Sequence, residues 1–165
     1  MVGQSASGKS TVARVIAERR GLAHLELDAL FHGEGWVQRE SFVEDVEAAT
    51  AHPGWVADGN YSAVRELLWG RADTVVWLDL PRRTVVRRAV WRTVRRLLSR
   101  AELWNGNRER LSTVLRASHP IRWTWSTFAA HRAGYESRWS DPQWAGLTKV
   151  RLRSTGDVRE WLLSC

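Results

Sequence analysis

The sequence predicts an α/β fold in which helices cover both faces of a parallel sheet. Three observations predict it. The pattern G-x-x-x-x-G-K-S runs from Gly3 to Ser10 and is the signature of a phosphate-binding loop, or P-loop. Strand-like apolar stretches alternate with helix-like stretches along the chain. Acidic residues follow several of these strands, at the edge where parallel sheets bind their ligands.

A single domain, residues 1–165, is the expected organisation for a chain of this length. Apolar residues make up 44% of the chain and charged residues 26%, which is typical of globular proteins and excludes a disordered one. No apolar stretch approaches the roughly 18 residues that span a bilayer. The single cysteine, Cys165, excludes a disulfide framework and a thiolate metal cage. We therefore expect a cytoplasmic protein without a membrane partner.

The positive charge is concentrated in one segment. The net charge of the chain is +7, but residues 82–122 hold 12 arginines against Glu102 and Glu109, a local charge of +10 (12 − 2). Nucleic acid and the phosphates of a small substrate are the two partners that suit such a segment. The chain has only two lysines, and one of them, Lys9, occupies the loop position that requires a lysine.

The first helix and the second strand follow the loop directly. Residues 10–20 have small and apolar side chains at helical spacing, and Gly21 is expected to end this helix. The N–H groups at the start of the helix would then face an anion held by the loop. Residues 22–28 read as a strand ending in Asp28.

The middle of the chain continues the alternation. Residues 39–51 predict a second helix with one apolar face, which stops at a Pro-Gly pair. Residues 55–57 predict a short strand that ends in Asp58 and turns through a Gly-Asn pair. A short helix follows over residues 62–70, with Ser62 as its expected N-cap and Gly70 as its stop.

Residues 74–80 carry the strongest strand signal, and Pro81 then starts a long helix over residues 82–100. An angular projection of this helix places Val86, Val90, Trp91, Val94, Leu97 and Leu98 on one apolar arc, which predicts its buried face. Arg83 and Arg87 project into that arc.

The last third of the chain predicts helices over residues 108–117 and 121–132, a strand over residues 147–154, and a terminal helix capped by Asp157. Residues 82–122 are therefore expected to form an Arg-rich helical segment that resembles a lid. The five histidines show no metal-ligand spacing and are expected to be structural.

The loop predicts a binding site for ATP. Its backbone N–H groups would surround the phosphates, with glycines allowing close approach, and Lys9 would reach the β- and γ-phosphates. The Ser10 hydroxyl would bind Mg²⁺. The residues predicted to bind the nucleotide are Gly3, Gln4, Ser5, Ala6, Ser7, Gly8, Lys9, Ser10 and Thr11.

Further residues suit phosphoryl transfer. Two carboxylates, Asp58 and Asp79, compete on pattern alone to hold the water shell of Mg²⁺, because each follows a strand. Asp28 suits the orientation of an acceptor hydroxyl or the role of a base. Arg65, one helical turn beyond the turn at residues 58–61, suits an acceptor phosphate. One or two arginines among residues 82–92 would neutralise charge on the transferred group.

Several blocks together resemble a known family. The blocks GQSASGKST, LELDALFHGEGW, GWVADGNYSAVR, ADTVVWLDLPRRTVVRRAVWRTVRR and ELWNGNRE look like the adenylate-kinase-related proteins labelled DNA topology modulation proteins. They occur in order over roughly residues 3–109. The P-loop is common to many proteins, whereas D-G-N-Y and L-W-N-G-N-R-E make the match specific.

The resemblance implies a fold similar to that of nucleoside monophosphate kinases, with a five-stranded parallel sheet between helical layers. It implies ATP and Mg²⁺ as cofactors and favours Asp58 over Asp79 beside the metal. It further implies that Arg65 binds the acceptor and that Arg83, Arg87 and Arg88 belong to a lid over the phosphates. Nothing in the sequence matches the full acceptor-base pocket of adenylate kinases, so AMP does not follow as the acceptor.

Only Met1 and Val2 precede the loop, so the first strand is expected to be a stub, from a start called too late or a truncated product. The leading hypothesis is an ATP-dependent kinase that acts on an unidentified small molecule. The alternatives are an ATP-binding regulator that contacts DNA through residues 82–122, and a catalytically dead remnant that lacks its first strand.

Overall fold

The structure is a computed structural model that describes residues 1–99, 105 and 120–165. The order of its elements confirms the predicted α/β fold. The strands are β1 (Val2–Gly3), β2 (Ala23–Glu26), β3 (Trp55–Asp58), β4 (Thr74–Leu78) and β5 (Thr148–Leu152). The α-helices are α1 (Lys9–Arg20), α2 (Leu27–Phe31), α3 (Phe42–Ala49), α4 (Arg65–Arg71), α5 (Arg82–Ser99), α6 (Pro120–Trp139) and α7 (Thr155–Ser164).

All strand pairs in these elements are parallel, but they form two ladders rather than one. β4 lies between β1 and β5, and β2 pairs separately with β3. β1 has two residues and both pair with β4. In the described part of the chain, hydrogen bonds join the ladders at two places: the main-chain nitrogen of Met1 donates to the Ala57 carbonyl at 2.7 Å, and the amide of Asn60, just after β3, donates to the Gly3 carbonyl at 2.6 Å. The carboxyl ends of β1, β2 and β3 therefore meet around one loop.

Apolar packing holds helices against each ladder. One cluster joins α1 to β4 and β5 through Val12, Val76, Leu78 and Leu152. A second cluster joins α2, α3 and the segment before α4 through Leu27, Phe42, Val46 and Val64. None of the described helices is long and apolar enough to cross a membrane.

Several element boundaries match the prediction. Gly21 ends α1 in the left-handed conformation, with φ 64°. α7 begins with a reciprocal pair in which the Ser154 hydroxyl accepts from the Asp157 nitrogen at 3.0 Å and the Asp157 carboxylate accepts from the Ser154 nitrogen at 3.2 Å. The predicted helix over residues 108–117 lies outside the described residues.

Three local predictions were wrong. The strand expected over residues 22–28 ends at Glu26, and Asp28 lies in α2 instead. Ser62 does not cap α4 with its side chain, because a 3₁₀ turn over Ser62–Val64 precedes that helix. Gly70 lies inside α4, which ends only at Arg71, so this glycine does not stop it.

The predicted buried face of α5 was also wrong. Val85, Ala89 and Thr93 are buried, whereas the predicted apolar arc is largely exposed. Small side chains at every fourth position let α5 pack closely, which the larger residues of the arc would prevent. The exposed members of that arc are Val90, Trp91, Val94 and Leu98.

Candidate functional site

The loop between β1 and α1 has a backbone that requires its glycines. Gly3, Ala6 and Gly8 have positive φ angles of 139°, 62° and 100°. A Cβ atom on Gly3 would lie 2.7 Å from the carbonyl oxygen of Leu78, so only glycine fits this close approach to β4. Gly8 is the N-cap of α1 and supplies no capping side chain. The first N–H groups of α1 are therefore placed to bind an anion.

A cavity of about 320 Å³ adjoins this loop. The loop contributes most of its lining, and the β2–α2 junction and α5 contribute the rest. The lining residues are Ser5, Ala6, Gly8, Lys9, Ser10, Thr11, Glu26, Asp28, Arg88 and Arg92. Gln4 and Ser7 are buried, and the Gln4 amide donates to the Phe128 carbonyl at 3.0 Å. Six of the nine predicted nucleotide-binding residues thus line the cavity, and Gly3, Gln4 and Ser7 support the loop.

Lys9 brings a positive charge to the cavity. Its ammonium donates to the Gln4 carbonyl at 3.3 Å and makes no ion pair with any described residue. Burial lowers the pKa of Lys9, and the negative charges of Asp28 and Asp58 oppose that shift. A buried ammonium that lacks a paired carboxylate favours an anionic ligand, because the ligand would offset the cost of burying the charge.

Ser10 and Asp58 lie side by side at the start of α1. The Ser10 hydroxyl donates to Oδ1 of Asp58 at 2.6 Å. The other carboxylate oxygen, Oδ2, lies 2.7 Å from Nε2 of His24 in β2. The Asp58 side chain is only 3% exposed, so these two contacts define its orientation. The parallel register of β2 and β3 produces this contact, since it sets His24 opposite Val56 and Glu26 opposite Asp58.

Asp79, the alternative metal ligand, is held by arginines instead. Its carboxylate lies 2.7 Å from the guanidinium of Arg151 and 2.9 Å from that of Arg132. Arg151 also stacks over the Trp77 ring at 4.1 Å and pairs with Glu136 at 2.7 Å. The two arginines together satisfy a carboxylate that is 3% exposed, which is the arrangement of a structural ion-pair network.

Asp28 and Glu26 bring two carboxylates to the other side of the cavity. Asp28 lies in the short helix α2, and its Oδ1 accepts a hydrogen bond from the Tyr61 hydroxyl at 2.6 Å. Glu26 ends β2 next to Asp58 in register. Carboxylates from β2 and α2 therefore line the cavity with Lys9, and the Asp58 carboxylate lies beside Ser10.

Two arginines of α5 contact the loop. Arg88 donates to the Ser7 carbonyl at 2.6 Å, and Arg92 donates to the Ser5 hydroxyl at 3.2 Å. Both adjoin the buried stripe of α5 and line the cavity. Arg83 and Arg87, which the sequence also proposed, are exposed on the far side of the helix and do not line it. Arg83 and Arg87 point away from the cavity because they lie with the exposed apolar arc of α5. The helix packs toward the loop through the face that carries Val85, Ala89 and Thr93.

Arg65 occupies the first turn of α4 and lines a neighbouring small cavity with Tyr61 and Tyr135. It makes no hydrogen bond or ion pair with the residues that the structure describes, although it is half-buried. Burial lowers the pKa of Arg65, and the charge of Arg138 lowers it further. Burial also lowers the pKa of His131, followed by the charges of Arg65 and Lys9. Several cations therefore face one region beside the loop.

Three residues of the site were not assigned a role from the sequence: Glu26, His24 and Tyr61. Arg92 was among the arginines proposed to neutralise charge, but its contact with Ser5 was not predicted. The signal for His24 and Glu26 is their alternation along β2, which puts both on the face that carries Asp58 on β3. Tyr61 gave no signal, because its partner Asp28 lies 33 positions earlier. Arg92 lay in the arginine-rich helix, where the incorrect choice of buried face hid its contact.

Comparison with known proteins finds a similar kinase. No family model matches the chain. The sequence is similar to the shikimate kinase of Thermobifida fusca (strain YX), with 34% identity over 140 residues that cover 73% of this chain and 77% of that protein. This similarity supports the kinase part of the predicted resemblance. It does not support the DNA topology modulation label.

Proposed function

Since the chain belongs to the P-loop nucleotide-kinase-like family, we propose that it transfers the γ-phosphoryl group of ATP to a small molecule with a hydroxyl and an anionic group. The similarity supports an ATP-dependent P-loop phosphotransferase, and the site geometry supports the finer roles given below. The DNA-binding alternative is not supported by this similarity, and residues 100–104 and 106–119 of its basic segment lie outside the described residues.

In this proposal the loop and Lys9 hold the phosphates of ATP. The N–H groups from Ser5 to Ser10 surround the phosphates, and the Lys9 ammonium offsets their charge. The support is the left-handed backbone at Ala6 and Gly8, the uncapped start of α1, and the position of Lys9 in the cavity without an ion pair to any described residue. Arg88 and Arg92 add two guanidinium groups at the same cavity, where charge develops during transfer.

Ser10 and Asp58 would hold Mg²⁺. Their oxygens lie 2.6 Å apart beside the loop, and hard oxygen donors are those that Mg²⁺ prefers. His24 keeps Asp58 oriented toward Ser10 from the opposite oxygen. When bound, Mg²⁺ would offset the negative charge of the phosphates. Asp79 is left out of this role, because Arg132 and Arg151 already engage its carboxylate.

Asp28 and Arg65 would bind the acceptor. Asp28 would accept a hydrogen bond from the attacking hydroxyl, and Arg65 would pair with an anionic group elsewhere on the same molecule. The support for Arg65 is that it is half-buried and unpaired in the described part of the chain. Shikimate, the acceptor in the relative's name, has both a carboxylate and hydroxyls. Arg83 and Arg87 have no part in this proposal, because both are exposed away from the cavity.

One observation carries the proposal: Lys9, Ser10, Asp28 and Arg88 line a single cavity that adjoins the loop. The test is ADP formation from Mg-ATP with four classes of acceptor, namely shikimate, nucleoside monophosphates, nucleosides and neutral sugars. We expect turnover to be stimulated by an acceptor with an anionic group and not by its uncharged counterpart. Turnover that no acceptor stimulates would contradict the proposal.

The two lysines provide a matched pair of variants. Lys9→Met should lower acceptor-stimulated turnover by at least about 100-fold, because it removes the charge at the loop. Lys149→Met makes the same substitution in β5, where the ammonium donates to the Trp139 carbonyl at 2.7 Å. That variant should keep turnover within about 3-fold of the wild-type value. Equal losses in both variants would show that the effect of Lys9→Met is on folding rather than on ATP.

A further inference from the structure

The hydroxyl of Tyr61 is directed at Asp28 by packing that does not depend on the hydroxyl. The Tyr61 ring lies 4.4 Å from the Phe31 ring and 5.1 Å from the Phe42 ring, measured between centroids. Its oxygen donates to Oδ1 of Asp28 at 2.6 Å and lies 3.5 Å from Nε2 of His32. The aromatic contacts therefore fix the ring, and the ring fixes where the oxygen lies.

Tyr61 stays a hydrogen-bond donor over the whole physiological range. Burial raises the pKa of its phenol, and the charge of Asp28 and the hydrogen bond to it raise that pKa further. A neutral phenol has one proton to donate, and the nearest charged acceptor is the Asp28 carboxylate. Hydrogen bonds to a charged group are stronger than those between neutral groups.

The two oxygens of Asp28 have different surroundings. Oδ1 accepts from Tyr61, whereas Oδ2 makes no hydrogen bond with any described residue. The side chain lines the same cavity as Lys9, Ser10 and Arg88. A carboxylate held through one oxygen has a defined rotamer, and its other oxygen then has a defined place at the edge of the cavity.

We propose that Tyr61 is a positioning residue that holds the Asp28 carboxylate through Oδ1, so that Oδ2 accepts the hydrogen bond of the acceptor's hydroxyl. This role rests on the proposed phosphotransferase function. Among the described residues, the Tyr61 hydroxyl contacts Asp28 and His32 rather than the loop, so its effect passes through Asp28. It favours acceptors whose reactive group carries a proton to donate, as a hydroxyl does, over an ionised phosphate or carboxylate, because a carboxylate oxygen can only accept a hydrogen bond.

Tyr61→Phe tests this role, because it removes one oxygen atom and keeps the ring against Phe31 and Phe42. We expect kcat/KM for the acceptor to fall by about 10-fold, with KM for ATP changed by less than about 2-fold. Far-UV circular dichroism and the thermal midpoint report whether the variant folds. A merely structural role would lower stability or change the binding of both substrates.

A double-mutant cycle with Asp28→Asn then separates positioning from other effects. If Tyr61 acts through Asp28, Tyr61→Phe should have an effect of less than about 2-fold in the Asp28→Asn background. Tyr135→Phe makes the same substitution in a tyrosine whose hydroxyl donates to Asn60 instead. Whatever factor Tyr135→Phe produces should be the same in the wild-type and the Asp28→Asn backgrounds.

The outcomes distinguish this inference from the function on which it rests. Acceptor-stimulated turnover in the wild-type protein, with the Tyr61→Phe factor undiminished by Asp28→Asn, would overturn the positioning role alone. Wild-type kinetics in Tyr61→Phe would overturn it as well. Wild-type protein that folds and binds ATP but transfers no phosphoryl group would refute the proposed function and this role together.

Discussion

Arg88 and Arg92 are the arginines of α5 for which the structure shows hydrogen bonds to the loop. Each donates to a loop residue, Arg88 to the Ser7 carbonyl and Arg92 to the Ser5 hydroxyl. Arg88 also approaches Gly8 so closely that a Cβ atom there would lie 3.3 Å from its Nη1. The position of each arginine around the helix therefore decides whether its guanidinium group lines the cavity or lies exposed at the surface.

Arg88→Ala should lower the kcat of the proposed transfer by about 10- to 100-fold, because it removes a charged donor that lines the cavity and contacts the loop. Arg95→Ala removes an exposed guanidinium from the same helix and should change kcat by less than about 2-fold. Steady-state kinetics with saturating ATP and acceptor give both values. A similar loss in Arg95→Ala would mean that the net charge of α5 matters rather than the contact with Ser7.

At this scale the sequence predicted the loop residues and left the metal carboxylate open. The loop followed from its spacing, which the backbone angles of Gly3 and Gly8 now explain. Each of the two carboxylates follows a strand; the more apolar strand favoured Asp79, whereas the family resemblance favoured Asp58. Asp79 meets Arg151, which is 72 positions away, and no local pattern contains that contact.

The turn after β3 links four parts of the protein through consecutive residues. Asp58 contacts Ser10 of α1, and Asn60 donates to Gly3 of the loop while accepting from the Tyr135 hydroxyl of α6 at 2.5 Å. Tyr61 reaches Asp28 of α2. Between them Gly59 has a φ of 150°, and a Cβ atom there would lie 2.7 Å from Cβ of Leu27. The turn is therefore tightly packed and tolerates no side chain at this position.

Gly59→Ala should lower the free energy of unfolding by about 2 kcal/mol or more, because the new methyl group meets Leu27 and the backbone angle is strained. Gly70→Ala is the matched control, because nothing lies within 4 Å of the Cβ position inside α4. It should raise the free energy of unfolding by about 0.5–1 kcal/mol through helix propensity. Urea denaturation measures both. A Gly59→Ala protein as stable as the wild type would contradict the packing of this turn.

The order of the helices and strands was predicted better than the side of each element that is buried. Apart from α2, which was not predicted, the strands and helices from α1 to β4 occur in the predicted order, because hydrophobic period and turn residues are local signals. The buried face of α5 was not predicted, because packing selected the small stripe of Val85, Ala89 and Thr93 over the larger apolar arc. Asp28 entered α2 for a similar reason, since the buried Leu27 packs against Phe42 and Val64 and bends the chain after Glu26.

Over the whole molecule, two parallel ladders are joined at the site rather than through a continuous sheet. Tyr135 of α6 is part of that junction, because its hydroxyl donates to Asn60 in the turn after β3. Its ring lies 5.6 Å from the Trp77 ring of β4, on the other ladder. The fold class followed from the sequence, but this junction did not, because it depends on side chains far apart in the chain.

Tyr135 makes the stability of the whole molecule sensitive to high pH. Burial raises the pKa of Tyr135 to about 12, above the value of about 10 for an unfolded chain. The unfolded state therefore loses this proton first, and the associated stability is complete below about pH 10 and is lost as the pH rises toward about 12. From about pH 9 to about pH 11, the free energy of unfolding should fall by about 1 kcal/mol more in the wild type than in Tyr135→Phe. Urea denaturation at the two pH values measures these falls. An equal fall in the free energy of unfolding of the two proteins would contradict this prediction.

Under the proposed function, this chain transfers a phosphoryl group to an acceptor rather than hydrolysing ATP. The most direct measurement is ³¹P NMR of the wild-type protein with Mg-ATP and the anionic alcohol that most stimulates ADP formation. We expect a new phosphomonoester resonance that grows in step with ADP, with little inorganic phosphate, and its loss in Lys9→Met. Inorganic phosphate as the sole new product, or no change in the ATP resonances, would contradict the proposed phosphoryl transfer.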